Sequence, residues 1–409
     1  MNLALSDEQQ MLREAAINVL ARHDTVGGAR AARDGGEPVE IWPAAREAGW
    51  PGLLIDERHG GAGLDFFDAM LVLEQCGKRL AGIGLLGHLP ATLVLARAAA
   101  DGGERAAAEL PALASGERRA AIVLARPPAD EDDWAVEAGS SQGRWGDVPR
   151  AVADGGDADA SVRVSGAAAF QADLDGADLI VVPVLLEGAG LRAALVDPAV
   201  AGVSIERQLR GDASRPLGSI ELDGTEAVLL SAGAEALTEA WHLGQALLAA
   251  DALGVAEAML EMGVAYAKDR HAFGRPIGSY QAIKHQLVEI LRRVDSARSL
   301  CFYVALAAEQ QPHELALAAA CARFAAEEAA DYGTRTCIAV HGGIGATWEH
   351  DAPYYWRRAQ LSRQLLGGAT GAGERVAAEV IARARDSELA DAVPVGDVVI
   401  KDGLAEVSA

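Results

Sequence analysis

Apolar positions recur at helical spacing over both ends of the chain and lose that spacing in the middle. Ser6 followed by Gln9 has the form of a capping box, and the apolar stripe Leu12, Ala16, Val19 and Leu20 predicts a helix directly after it. Pro51 and the cluster Gly60-Gly61-x-Gly63 interrupt this patterning, which returns over 66–79 and 85–100. Short apolar runs then replace the stripe, and 121–125, 161–164, 179–185, 192–196 and 218–222 read as strands separated by Gly, Asp and Pro clusters. Pro183 predicts an edge or an early end for its strand, and the acidic stretch 127–159 reads as surface loop. From Ala234 four long helical segments end near Arg270, Glu309, Val340 and Arg385, which is a bundle. The predicted fold is α+β and mainly α: an N-terminal α-helical domain over 1–118, a middle β-domain over 119–231, a C-terminal helical bundle over 232–386 and an extended tail over 387–409.

Composition narrows the partners. A net charge of −23 over 409 residues repels nucleic acid and anionic membrane surfaces, so any anionic ligand has to be held by local basic residues. Cys76, Cys301, Cys321 and Cys337 lie far apart, which predicts buried free thiols rather than a metal site or a disulfide framework. The first residues lack a basic segment followed by an apolar one, and no apolar run reaches ~18 residues, so a cytoplasmic protein without a membrane span is expected.

Two clusters carry candidate chemistry. Between Tyr266 and His285 the chain reads YAKDRHAFGRPIGSYQAIKH, a turn joining two helices. An ordinary helical hairpin would look similar, but Arg270, Arg275, Gln281 and Lys284 beside Phe273 are more polar equipment than packing requires, and suit an anion or an amide-bearing ring. The second cluster, AVHGGIGATWEH from Ala339 to His350, ends a helical stretch with glycines whose amides can cap the helix or approach a ligand.

The order R-x-A-F-G-R-P-I-G-x-x-Q closely resembles the signature of the acyl-CoA dehydrogenase family, flavoenzymes that desaturate acyl thioesters between Cα and Cβ. The resemblance spans nearly the whole chain and implies the family's three-part fold, with a small middle β-barrel domain and a C-terminal four-helix bundle. It implies FAD as cofactor, held across a subunit boundary by Arg270, Phe273, Gln281, His341, Gly342 and Gly343. Ala339 stands where the family's glycine-rich segment has glutamine, which removes one hydrogen bond to the cofactor. His341 has the right ordinary pKa for acid–base work, but the resemblance puts it at the adenine end of FAD, where packing at a subunit interface is its expected role.

The family's chemistry needs a carboxylate to take the α-proton, and aligning its two known locations brings the base onto Leu366 or Gly244. Neither can accept a proton. Losing a positioned base costs ~10²- to 10⁴-fold in rate. Asp251, Glu257 and Glu261 on the same helix as Gly244 read as solvated or packing residues, and Glu374 is expected about two turns past Leu366. Of the two restorations, Gly244→Glu is expected to be the milder, because it gains helix propensity. In the middle domain, Ala125-Arg126-Pro127-Pro128-Ala129-Asp130 replaces a hydroxyl-bearing flavin loop, and Phe170-Gln171-Ala172-Asp173 replaces an aromatic–threonine pair.

The expected function is FAD-dependent acyl-CoA dehydrogenation as one subunit of a heteromeric enzyme. A homomeric dehydrogenase with an atypical base, a non-catalytic subunit that binds acyl-CoA or FAD, and a relative acting on nitroalkanes or amines remain open. Expected partners are an acyl-CoA substrate, an electron-transfer flavoprotein, and either itself or a second dehydrogenase-like chain in a tetramer.

Overall fold

The computed structural model describes residues 5–128, 133–138, 144–152, 158–208, 211–386, 400–401 and 404–405. The tail expected over 387–409 and the loop positions Ala129 and Asp130 therefore lie largely outside the described residues.

Helix α1 (Asp7–Leu20) begins as its sequence predicts: Ser6 Oγ accepts from Gln9 N–H and Gln9 Oε1 accepts from Ser6 N–H, both at 3.1 Å. It is followed by α2 (Thr25–Arg33), α3 (Trp42–Glu47), α4 (Phe66–Arg79), α5 (Leu85–Ala100) and α6 (Glu104–Ala114). α4 is buried almost all round because it lies against the first helix of the C-terminal bundle. Glycines make that approach possible: a Cβ on Gly77 would meet the Asp251 carbonyl oxygen at 1.9 Å, and one on Gly254 would meet that of Glu74 at 1.9 Å.

The middle segment comprises β1 (Ala120–Ile122), β2 (Ala125–Arg126), β3 (Ala135–Glu137), β4 (Trp145–Asp147), β5 (Arg150–Val152), β6 (Ser161–Ala172), β7 (Leu179–Leu186), β8 (Gly190–Val196), β9 (Val203–Gln208) and β10 (Leu217–Gly233). The main sheet runs β1-β7-β5-β6-β10-β8 and closes through β7–β8 pairing, while β2, β3 and β4 form a small separate sheet. β6 and β10 extend well past the short runs predicted for them; register shifts after Gly218 and Leu222 break the alternation that would reveal their length. Pro183 does not end its strand. It pairs with Ala193 of β8, and its donorless nitrogen falls between the stretches where β1 and β5 join β7.

The C-terminal bundle is α7 (Ala234–Asp269), α8 (Gln281–Gln310), α9 (Leu315–His341), α10 (Ala352–Ser362) and α11 (Gly368–Asp386). The predicted fourth segment is thus broken in two. Leu366, Gly367 and Gly368 take φ of 48°, 83° and 64° in succession, which turns the chain sharply. For leucine the left-handed conformation costs roughly 1–2 kcal/mol. Among the described residues all four cysteines are free, three of them buried and Cys321 half-buried, and no helix is long and apolar enough to cross a membrane.

Candidate active site

The turn at Leu366 borders a cavity of about 610 Å³ between the start of α7, α11 and the small sheet. A buried network holds the turn in place. Gln245 Nε2 donates to the Leu366 carbonyl (2.8 Å), and its Oε1 accepts from Arg323 Nε (3.1 Å). Arg323, fully buried on α9, also donates to the carbonyls of Ser362 (2.7 Å) and Leu365 (3.0 Å) and pairs with Glu327. A backbone strained at Leu366 persists because these donors over-determine it.

The two positions onto which the base was aligned meet here. A Cβ built on Gly244 would lie 3.2 Å from Leu366 Cδ1 and 2.9 Å from Leu124 Cδ1. Both positions are apolar, and the side chain of one fills the space beside the other. A side chain added at Gly244 therefore meets the ends of two leucine side chains that have to shift, and this crowding opposes the helix-propensity gain expected of Gly244→Glu.

Several titratable groups surround this point. His242, 8% exposed, lines the cavity; burial first, and then the charge of Arg375, push its pKa down to about 4, so the ring is neutral. Burial raises the Glu137 carboxyl against the pull of Arg144, whose Nη2 lies 2.9 Å away, and the amides of Leu366 and Gly367 face the same carboxylate. Glu374 lies in α11 and lines the cavity. Asp251 is neither solvated nor peripheral. It is fully buried, and although burial opposes its ionisation, Arg358 (Nε, 3.1 Å) and Arg215 (Nη1, 3.3 Å) hold its carboxyl below the usual range. Glu257 and Glu261 engage Lys78 at 3.1 and 2.7 Å on the outside of the same helix.

The residues expected at the cofactor lie elsewhere. Arg270 follows the last residue of α7 and accepts from Ile277 N–H (2.7 Å), closing a two-residue hairpin between β11 (His271–Ala272) and β12 (Arg275–Pro276). At its tip Phe273 takes φ 53° and is 96% exposed, an outlier for an aromatic. Tyr280 O–H donates to the Ala272 carbonyl (3.0 Å), and the Arg275 guanidinium lies 4.2 Å above the Tyr280 ring. Gln281, exposed, opens α8. His341 is buried: its ring stacks on Tyr266 at 4.1 Å and its Nδ1 donates to the Cys337 carbonyl at 2.8 Å. That stack joins the end of α9 to the end of α7, so the exposed Gly342 and Gly343 share one end of the bundle with the hairpin.

The hairpin and the cavity are at opposite ends of α7. From Gln245 to Arg270 a helix rising ~1.5 Å per residue spans about 37 Å, longer than a flavin dinucleotide. One cofactor cannot touch both within one chain.

A closed β-barrel between two helical domains, with a cavity where barrel and bundle meet, is the architecture of flavin-linked acyl thioester oxidoreductases. Residues 6–117 match the model of the acyl-CoA dehydrogenase N-terminal domain, and 231–384 match that of the C-terminal domain. The chain is 30% identical over 379 residues to the acyl-CoA dehydrogenase IpdE2 of Mycolicibacterium smegmatis, covering 92% of this chain and 100% of that one. It is 32% identical over 377 residues to IpdE2 of Mycobacterium tuberculosis, covering 91% and 98%. A solved variant of the Tcur3481-Tcur3483 steroid ACAD superposes with a TM-score of 0.80 at 28% identity, covering 93% of this chain and 99% of that one. The chain belongs to the acyl-CoA dehydrogenase family, oxidoreductases that act on CH–CH groups.

Sequence reasoning missed Glu137, Trp145, Trp241, His242 and Arg375. Glu137 and Trp145 fall in the stretch read as loop, and the other three look like ordinary helix residues. No local pattern marks them.

Proposed function

We propose that this chain is one subunit of a heteromeric FAD-dependent acyl-CoA dehydrogenase that desaturates a steroid-type acyl-CoA, with a second dehydrogenase-like chain as partner. The observation that carries the reading is the packing of Leu366 against Gly244, which leaves both family base positions apolar at once. The substrate class rests on the likeness to the Tcur3481-Tcur3483 steroid ACAD.

The chain's residues fit FAD at one end only. Arg270, Phe273, Gln281, Gly342 and Gly343 are exposed at the hairpin end and suit a pyrophosphate, a ring face and amide contacts supplied to a neighbour's cofactor. His341 orders that end through Tyr266. The chain's own barrel offers less: the Leu124 N–H, at the start of the expected flavin loop, is already taken by Gln171 Oε1 at 3.0 Å. When bound, FAD supplies the acceptor for the β-hydride, and this chain contributes binding and orientation. Reoxidation through an electron-transfer flavoprotein and a cytoplasmic location complete the reading.

Purifying the chain alone and with a co-expressed second dehydrogenase-like chain tests this. Flavin absorbance and acyl-CoA desaturation are expected only in the joint assembly. A pure homomer holding stoichiometric FAD and turning over at ~1 to 10³ per second would overturn the proposal in favour of an atypical base. A colourless homomer that binds acyl-CoA and never recruits a partner would mark a non-catalytic binding protein.

A further inference from the structure

In a chain of net charge −23, Arg126, Arg144 and Arg375 all face one cavity, alongside Glu374 and Glu379. Two of the three arginines are engaged. Arg144 pairs with Glu137 at 2.9 Å, and the Arg126 guanidinium lies 4.8 Å from the centre of the Trp145 ring. Arg375, half-buried, has no hydrogen bond or ion pair among the described residues. Beside it, His242 is 8% exposed and likewise has no hydrogen-bond partner among them. The imidazole is neutral, because burial and the Arg375 charge both disfavour its protonation. It can therefore donate or accept a hydrogen bond without competing for the anion that the guanidinium attracts.

We propose that Arg375 and His242 form an oxyanion subsite of this cavity, and that it receives a second carboxylate carried on the acyl group of the thioester. This deepens the reading above and relies on it for the thioester. Arg375 is only half-buried, so its guanidinium keeps contact with water, and a ligand that brings a carboxylate to it gains a charge-assisted hydrogen bond that no described residue supplies. Trp145 and Trp241, with ring centres 6.2 Å apart, form an aromatic wall, and Ala316, Ala320 and Ala378 leave space for a ring between that wall and the bundle. Reach selects the source of the anion. Arg375 lies seven residues past the start of α11, about 10 Å along the helix from the Leu366 turn. That is shorter than the extended pantetheine arm separating the thioester sulfur from the first CoA phosphate.

Calorimetric titration of the full chain, alone and in its assembly, with butyryl-CoA, glutaryl-CoA, free glutarate and free butyrate tests the proposal. Glutaryl-CoA is expected to bind roughly tenfold or more tightly than butyryl-CoA, in line with one charge-assisted contact. Arg375→Gln is expected to abolish that difference and Arg375→Lys to keep most of it, with melting temperatures unchanged. His242→Phe is expected to reduce the difference without weakening butyryl-CoA. Equal affinities in the unmodified protein overturn the proposal. So does an Arg375→Gln variant that weakens both esters alike, which would assign the contact to CoA phosphates. Arg375-dependent binding of glutarate over butyrate with no binding of either ester keeps the subsite and sinks the dehydrogenase reading; no binding of any probe sinks both.

Discussion

Asp251→Ala should be among the most damaging single substitutions in the molecule. The Asp251 carboxylate is fully buried on α7, and its Oδ2 accepts from Arg358 Nε at 3.1 Å and from Arg215 Nη1 at 3.3 Å. Arg358, on α10, also donates to the Ala81 carbonyl (2.9 Å) and to Ser214 Oγ (3.0 Å), while Arg215 donates to Ser362 Oγ (2.6 Å). The carboxylate is therefore the counter-charge at the point where the N-terminal helices, the barrel's return segment and the bundle meet. Truncating it strands the Arg358 guanidinium out of water and leaves Arg215 with the Asp212 carboxylate alone, 3.4 Å away, and breaking a buried pair in this way costs about 3–5 kcal/mol. With ~2.1 cal/mol/K of unfolding entropy per residue over 409 residues, that lowers the melting temperature by about 4–6 °C. Differential scanning calorimetry of wild type, Asp251→Ala and Asp251→Ala/Arg358→Met measures it, and the double variant should recover part of the loss by removing one stranded charge. Because the folded-state pKa of Asp251 lies below its unfolded value, its contribution is present at neutral pH and is lost as pH falls through the acidic carboxylate range. The wild-type advantage over Asp251→Asn should accordingly shrink only under acid. A melting temperature within 1 °C of wild type for Asp251→Ala would refute the reasoning.

Gly244→Glu should lower stability by about 1–3 kcal/mol, since overpacking against Leu124 and Leu366 outweighs the helix-propensity gain; urea denaturation measures it, and a stabilised variant would contradict the packing. Leu366→Glu should yield no desaturation in the isolated chain and only a protonated carboxyl at neutral pH, because it joins Glu137, whose own carboxyl burial already raises; mass spectrometry of the enoyl-CoA formed with FAD added in excess reports the outcome. In the joint assembly, Arg270→Ala should reduce flavin content more than Lys284→Ala, as a bidentate guanidinium contact is worth ~1.5–3 kcal/mol; equal retention would make Arg270 only a helix-terminal charge. Phe273→Asn should leave the isolated chain as stable or up to ~1 kcal/mol more stable, because asparagine tolerates φ of 53° and the exposed ring packs on nothing. Its assembly should weaken in sedimentation, and unchanged assembly would remove the hairpin tip from the interface.

The helices were legible because each one buries a stripe at regular spacing. Ser6 and Gln9 announce the first of them through a cap that involves only neighbours in sequence. The barrel was legible only in fragments. Register shifts in β10 interrupt its alternation, and the proline in β7 is tolerated through a gap between two partner strands that local sequence cannot show. The turn at Phe273 was visible from Gly274 and Pro276, and the meaning of Leu366 and Gly244 came through the family resemblance. Their contact with each other was not visible. Nor was the role of Asp251, whose partner Arg358 lies 107 residues away. Charge pairing across such distances leaves no periodic trace, so an aspartate at the centre of a buried network reads in sequence like one at the surface.

The length of α7 gives a physical reason why such a chain can lose its base and keep its hairpin. Leu366, Gly244 and the cavity occupy the start of this helix, whereas Arg270 and Phe273 follow its other end, about 37 Å away. Substitutions at one end do not reach the other through packing, so the two sets of residues are free to diverge independently. In the proposed assembly, a pair of chains that exchanged hairpins would complete each cavity with the other chain's Arg270 and Phe273. The proposed partner then needs this chain's hairpin intact whatever happens at this chain's Leu366. The restraints on the Leu366 turn fit the same logic: Gln245 and Arg323 fix its backbone without using the Leu366 side chain at all. A catalytic carboxylate can therefore be replaced by leucine with the turn unchanged, provided the residue opposite it stays as small as Gly244.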